Sequence, residues 1–510
     1  MKKELIAASL CLLLITSLGA ILRSIPVHRR VLRYDEAFSW KAARAGSVRD
    51  FLSWESIDTR QPPLCFLLVR LSMAVFADES EWVIRLPSLL AGIFCIPLLY
   101  ALGCLIHSRR LGLMAATLLA VDPNMVDQSQ QARMYTLLML GLLLCLFLAI
   151  RLLRGAGTIN AICLGLSMAL SFFANQLALA SWGALLLALP LYLWRVEGIS
   201  PRAMRHEPRF RQALLACSLA VLLSLPGLRR LFLIVSDGAG ASIGPMTAII
   251  EVAGHSLRLF FRSYLLSIPF YFLAFAGLYL LWQRRKAAAM LLACMTFAGG
   301  LLLIPFRMQH PFFNPRFALV LQPFLWICLP CFALFTRHRI ARTGGRLLIA
   351  IFAICLAFQS YHIESWWAGR ERYQPAARVL QVRQKISEGE AVAFVPSFLK
   401  TVGEYYGLDV DNPLGRGMKS SWPQADMTLP EGFEPRAVWV VTGHLGYQNA
   451  HERVRSLVVF LRKLSAHFEI PFEEDDVRHA LRDGKGLFYV DRNGLRAYPD
   501  GDVSGPDWYR

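Results

Sequence analysis

Charged side chains are scarce in this chain. They make up 18% of its 510 residues, against roughly a quarter in a soluble globular protein. With 55% hydrophobic residues and so few charges, a chain of this length must turn much of its surface to lipid. Acidic residues are the rarer kind, 36 against 54 basic ones, for a formal charge of +18. That excess does not mark nucleic acid as a partner. The Arg residues sit mainly in short clusters between apolar runs, as anionic headgroups and the positive-inside rule require. Cysteine is missing after Cys355, so the C-terminal region has no disulfide framework. Cys328-Leu-Pro-Cys331 has a metal or redox spacing but falls inside an apolar run, where small packing side chains are expected. A Gly-rich phosphate loop and an internal repeat are both lacking.

What the chain has in quantity is apolar runs of membrane-crossing length. They predict an all-α polytopic membrane protein of about eleven transmembrane helices. The runs lie near 4–24, 84–106, 111–127, 135–153, 158–175, 176–194, 212–228, 262–282, 287–306, 317–335 and 346–364. The first follows Met1-Lys2-Lys3 and is long for a cleaved signal peptide, so it is read as a retained helix. Basic residues mark every second connection: Arg109-Arg110, Arg151 with Arg154, Arg195 to Arg211, Arg284-Arg285-Lys286 and Arg337 to Arg346. The alternation places the N-terminus in the cytoplasm and the C-terminal region outside it. Leu64 to Phe76 is apolar but short, follows Pro62-Pro63 and contains Arg70. It reads as an amphipathic helix in the interface, part of a long external loop over 25–83. Asp35 to Ala45 and Val48 to Trp54 read as two more short helices there.

Two domains follow: a membrane domain over 1–364 and an extracytoplasmic α/β domain over 365–510. In the latter, helices are predicted over Tyr373–Ser387, Ser397–Tyr406 and Ala450–His467, and strands over 391–395, 437–441 and 486–490. Glu473-Glu474-Asp475-Asp476 reads as a solvated turn.

Residues able to carry chemistry collect beside the apolar runs. Tyr34-Asp35-Glu36 follows the first span. Taken alone, the pair suits a helix N-terminus, with Asp35 as cap and Glu36 favoured by the dipole. Arg60-Gln61-Pro62-Pro63 opens the interfacial helix, and Arg85-Leu86-Pro87-Ser88 enters the second span. Asp122-Pro123-Asn124 through Asp127-Gln128-Ser129-Gln130-Gln131-Ala132-Arg133-Met134-Tyr135 forms a short polar external loop, where Asp127 and Arg133 are costly unless paired or lining a wet cavity. His310 and Arg316 flank Pro311-Phe312-Phe313-Asn314-Pro315, and a snorkelling Arg316 is the plain alternative there.

This layout resembles the GT-C glycosyltransferases of the protein O-mannosyltransferase and lipid A aminoarabinose transferase type, most specifically over residues 34–135. The resemblance implies a bacterial plasma-membrane enzyme that takes a hexose or pentose from a polyprenyl-phosphate donor. The acceptor would be a glycolipid, polysaccharide or protein at the outer face. By resemblance, Asp35 and Glu36 are the catalytic acidic pair. Arg60, Gln61, Arg85, Arg133 and Arg316 are candidates for the donor phosphate, and Tyr34, Asp127, Gln130, Tyr135 and His310 for substrate. Gln61 and Gln131 stand where relatives carry His or Lys and Glu. A divalent cation is left open as a cofactor, with no ligand spacing to support it. The competing readings are a non-catalytic relative that binds lipid-linked sugar and a transporter of lipid-linked glycan. The transporter class favours broken or ionisable helices at the midplane and repeated halves.

Overall fold

The computed structural model describes residues 2–24, 32–44, 62–237, 244–257, 264–309, 319–361, 378–388, 390–395, 400–406, 408, 435–442, 450–482 and 486–498. In chain order the helices are α1 (Lys2–Ser24), α2 (Tyr34–Arg44), α3 (Leu64–Phe76), α4 (Glu81–Ile106), α5 (Arg109–Ala120), α6 (Pro123–Ser129), α7 (Tyr135–Leu153), α8 (Thr158–Ala174) and α9 (Leu179–Arg195). They continue as α10 (Pro208–Asp237), α11 (Pro245–Leu257), α12 (Tyr264–Arg284), α13 (Lys286–Gln309), α14 (Gln322–Phe335) and α15 (Arg339–Tyr361). The chain falls into two compact units, one of residues 1–27 and 45–363, the other of residues 28–44 and 364–510.

The first unit is a helical bundle whose members coincide with the apolar runs. Among the described residues, six helices are long and apolar enough to cross a membrane. Several further apolar helices are shorter, α3 and α8 among them. The protein is therefore a multi-pass membrane protein. Its lipid-facing character is written on the helix surfaces: Leu13, Leu14, Phe94, Leu222, Phe272 and Ile354 are large, apolar and exposed. Conversely, α7 and α14 bury apolar side chains over most of their circumference, so they sit inside the bundle. Cys328 and Cys331 are both buried in α14, as packing residues.

One predicted span is shorter than the sequence indicates. The apolar run 111–127 is helical only to Ala120; the chain breaks at Val121-Asp122 and restarts as α6. The cause is local. Asp122 caps α6 by accepting from the backbone N–H groups of Asn124 (2.9 Å) and Met125 (3.1 Å), and Pro123 follows at the first helical position. The predicted Val48–Trp54 helix lies outside the described residues.

The second unit contains α2, a helical stretch over 378–385, and β1 (Glu390–Val395), α16 (Lys400–Tyr405), β2 (Ala437–Thr442), α17 (Ala450–His467), α18 (Glu474–Arg482), β3 (Leu487–Asp491) and β4 (Gly494–Tyr498). The strands form one sheet in sequence order, β1 parallel to β2, then β2–β3 and β3–β4 antiparallel. One face, with Ala393, Val395, Val438, Val440, Phe488 and Val490, packs on Leu457, Phe460, Leu461 and Leu464 of α17 and Val477 of α18. The acidic run at 473–476 corrects the expected turn. It opens α18, where Glu474, Asp475 and Asp476 occupy the positive end of the helix. Glu474 also pairs with Arg478 at 2.6 Å and Arg462 at 2.9 Å. Strand β4 had no counterpart in the sequence reading, because Asp491-Arg492-Asn493-Gly494 closes a tight hairpin with Gly494 at φ +137°.

Candidate functional site

Helix α2 and the acidic pair belong to the second unit. There Glu36, not Asp35, provides the cap: it is fully buried, and its Oε2 accepts the backbone N–H of Arg33 at 3.0 Å. A carboxylate three residues in, reaching back to the helix start, is the return half of a capping box. Asp35 is half-buried, and its carbonyl accepts from Ser39 Oγ at 3.3 Å. Tyr34 is the first residue of α2. The helix is seated on α16 by Trp40, edge-on to Tyr405 at 5.2 Å, and by Lys41, paired with Glu404 at 2.7 Å. Next to it, the Leu32 N–H donates to Tyr406 Oη at 2.7 Å. Asp35 therefore stands at the start of a helix held against α16.

In the first unit, the connection between α5 and α7 is folded as a buried polar knot. Ser88, on α4 one turn after the buried Arg85, donates to the Arg133 carbonyl at 2.7 Å and accepts the Arg133 N–H at 3.2 Å. Thr136 Oγ1 donates to the Ser88 carbonyl at 2.9 Å. These bonds pin Arg133 beside the N-terminal turns of α4. Asp127 accepts from Gln131 Nε2 at 2.8 Å and Gln128 Nε2 at 3.2 Å, so Gln131 serves as a neutral partner for that carboxylate. Gln130 is buried and donates to the Leu22 carbonyl of α1 at 3.0 Å. Tyr135 is buried at the start of α7.

Two residues outside the expected set hold this knot. Arg23, at the end of α1, is fully buried and donates to the carbonyls of Gly19 (2.9 Å), Ala120 (2.8 Å) and Leu119 (3.0 Å), and to Ser129 Oγ (3.2 Å). It thereby satisfies the orphan carbonyls at the C-terminus of α5 with a cation, the sign the helix dipole favours there. Asp122, also fully buried, accepts from Trp326 Nε1 at 3.0 Å and Gln322 Nε2 at 3.2 Å, both on α14. Ser360 of α15 donates to the Val121 carbonyl at 2.7 Å. The Asp-Pro pair after an apolar run is the signal that could have found Asp122. Arg23 has none, since an arginine closing a hydrophobic helix reads as a headgroup contact. A methyl group added at Gly92 would collide with Ser129, so glycine is needed where α4 meets the knot.

The structure thus brings Arg85, Asp127, Gln130, Arg133 and Tyr135 together at one end of the bundle. Arg60, Gln61, His310 and Arg316 lie outside the described residues. Among the described residues no three His, Cys, Asp or Glu side chains converge to hold a metal ion.

Residues 60–196, which include α3, α4 and the knot, match the family model of the dolichyl-phosphate-mannose-protein mannosyltransferases. Comparison with curated proteins finds no match. The fold is similar to that of ArnT from Cupriavidus metallidurans in the apo state. The TM-score is 0.54 at 13% identity, over 78% of this chain and 84% of that one. ArnT bound to undecaprenyl phosphate is similar at a TM-score of 0.51 and 14% identity, over 77% and 84%. The archaeal oligosaccharyltransferase AglB from Archaeoglobus fulgidus, in complex with an inhibitory peptide and a dolichol-phosphate, gives 0.53 at 12% identity, over 98% and 75%. The chain is a multi-pass membrane protein with the fold of the GT-C membrane glycosyltransferases, and residues 60–196 carry its likeness to the mannosyltransferase family.

Proposed function

We propose that the protein is an inverting glycosyltransferase. It moves a hexosyl or pentosyl group from a polyprenyl-phosphate donor to a hydroxyl or amine of a cell-envelope acceptor at the outer face of a bacterial plasma membrane. The observation that carries this reading is the division of labour in the acidic pair. Glu36 is fully buried on the Arg33 backbone, while Asp35, one residue before it in the first turn of α2, keeps part of its surface exposed. Support comes from the relatives of like fold, whose solved forms hold undecaprenyl phosphate and dolichol-phosphate.

The chemistry asks for one base. The acceptor oxygen or nitrogen attacks the anomeric carbon, the bond from that carbon to the phosphate oxygen breaks, and the acceptor proton passes to Asp35. The departing polyprenyl phosphate is already a weak base and needs no protein acid, so a second carboxylate across the bond, as in a glycosidase, is not required. Charge stays on the phosphate, and Arg133 is the described residue best suited to it, with Arg85 beside the same Ser88 turn. A planar guanidinium binds phosphate oxygens in pairs and stays charged when partly desolvated.

Purified protein supplied with labelled polyprenyl-phosphate sugars and envelope glycolipid tests the reading. Arg133→Ala should slow transfer by about a hundredfold or more, in the range of a lost oxyanion contact. Donor binding without transfer by the unaltered protein would instead identify a binding protein. Transfer by Arg133→Ala at the wild-type rate would move the phosphate site elsewhere.

A further inference from the structure

We infer that the end of the bundle opposite the Asp122–Arg133 knot holds the phosphate of an anionic phospholipid headgroup, bound by Arg154, Arg284 and Arg285 around His107. The four residues come from connections the knot does not use. Helix α4 runs from the Ser88 turn to Ile106, and α7 from Tyr135 beside the knot to Leu153. Helix α14 runs from Gln322 on Asp122 to Phe335. Their far ends therefore meet at the other end of the bundle, where α12 stops at Arg284 and α13 begins at Lys286.

Side-chain contacts draw them into one cluster. Arg154 Nη2 donates to the carbonyl of Ile106, the residue before His107, at 3.4 Å. The His107 ring stands edge-on to Phe335 at 4.6 Å, and the Arg284 guanidinium lies 5.4 Å from the centre of that same ring. Arg285 acts electrostatically on both His107 and Arg154. The electrostatic effects of Arg284 and Arg285 on His107, and of Arg285 on Arg154, are between groups of like charge. Burial first, then Arg285 and Arg284, hold the His107 imidazole below its ordinary range, and burial with Arg285 does the same to the Arg154 guanidinium.

The neighbouring acids do not relieve the repulsion. Arg209 takes Glu197 through two bonds, at 2.5 and 2.8 Å, and Glu207 at 2.6 Å, while also donating to the Leu153 carbonyl at 3.3 Å. None of Arg154, Arg284 and Arg285 forms an ion pair with a described residue. His107 Nδ1 is buried with no hydrogen-bond partner among the described residues. Three exposed arginines clustered near a histidine, at or just beyond the ends of apolar helices, suit an anion delivered at headgroup depth. The arginine forks match phosphate oxygens, and the ring nitrogen supplies one more polar contact. A lipid is favoured over free phosphate because its acyl chains lie along the apolar helix surfaces that lead to the cluster, which raises the local headgroup concentration.

Native mass spectrometry of the full-length protein in neutral detergent, titrated with phosphatidylglycerol, tests this. The protein should bind phosphatidylglycerol in preference to phosphatidylcholine, and millimolar inorganic phosphate should not displace it. Each arginine near an anionic surface is worth about fivefold in affinity, so Arg285→Gln should weaken binding about fivefold and Arg154→Gln/Arg285→Gln about twenty-five-fold. Arg462→Gln, in the second unit, should leave it unchanged. The single exposed substitution guards against misfolding of the double variant. Equal binding of the two lipids, unaltered affinity in both variants, or displacement by inorganic phosphate would each overturn the assignment.

Discussion

The carboxylate of Glu36 closes on the backbone N–H of Arg33 at 3.0 Å, with no exposed surface left to it, while its neighbour Asp35 keeps part of its surface open. Two adjacent acids of near-identical chemistry therefore stand in different surroundings: one is buried on the helix start, the other is partly exposed. On the proposed mechanism, removing the first should be a folding lesion and removing the second a chemical one.

Glu36→Ala should destabilise the second unit by about 1 kcal/mol, the worth of a cap, and lower the thermal midpoint. Asp35→Asn should leave that midpoint near the wild-type value. Differential scanning fluorimetry of the two variants in the same detergent distinguishes them, and equal losses would refute the division.

Ser88 offers a second test. Its hydroxyl both donates to and accepts from the Arg133 backbone, so Ser88→Ala strands two buried backbone groups at a cost of about 1–3 kcal/mol. Donor affinity should fall with the loosened Arg133, by roughly two- to tenfold if half of that cost reaches the bound state. Donor titration of the purified variant provides the measurement, and unchanged affinity would dissociate Arg133 from donor binding.

Asp122 should show a graded response. Asp122→Ala removes the α6 cap and the acceptor of Trp326 and Gln322 together, and should cost on the order of 3 kcal/mol. Asp122→Asn keeps an oxygen for the cap and should cost less, as should Trp326→Phe, which loses one bond. Detergent unfolding curves that place Asp122→Ala level with Trp326→Phe would contradict the account.

Stability should also carry a pH signature from the Arg209 clasp. The hydrogen bond from Arg209, working against a smaller opposing effect of burial, holds Glu197 below the usual carboxylate range. A carboxylate whose folded value is depressed adds stability above its unfolded value of about 4.3, and that stability is lost as pH falls through the lower folded value. The wild-type thermal midpoint should therefore fall more steeply below about pH 4.3 than that of Arg209→Gln. Parallel curves would exclude the clasp as the source.

Much of the fold was legible because lipid exposure writes itself as long apolar runs, and the predicted runs fall on helices among the described residues, apart from the break inside 111–127. The span end was overrun: hydropathy carried it to residue 127 through Met125 and Val126, although Asp122-Pro123 already opened the polar loop and is a readable helix start. Arg23 was invisible for a different reason, because nothing local distinguishes an arginine that caps a neighbouring helix from one that meets water. At the site, sequence pointed to Asp35, Glu36 and the Ser129–Tyr135 segment. The assignment of the cap to Glu36 depends on a three-residue reach that Asp35 could not be ruled out from by type alone. The Ser88–Arg133 tie joins residues 45 apart, which local sequence cannot express.

The most direct measurement is transfer of a labelled sugar from a polyprenyl-phosphate donor by purified Asp35→Asn protein, with its thermal midpoint recorded alongside. Loss of the base should cut turnover by about a thousandfold while donor binding and the midpoint hold. Turnover within about threefold of wild type would remove Asp35 from the chemistry, since general-base catalysis contributes at least about a hundredfold.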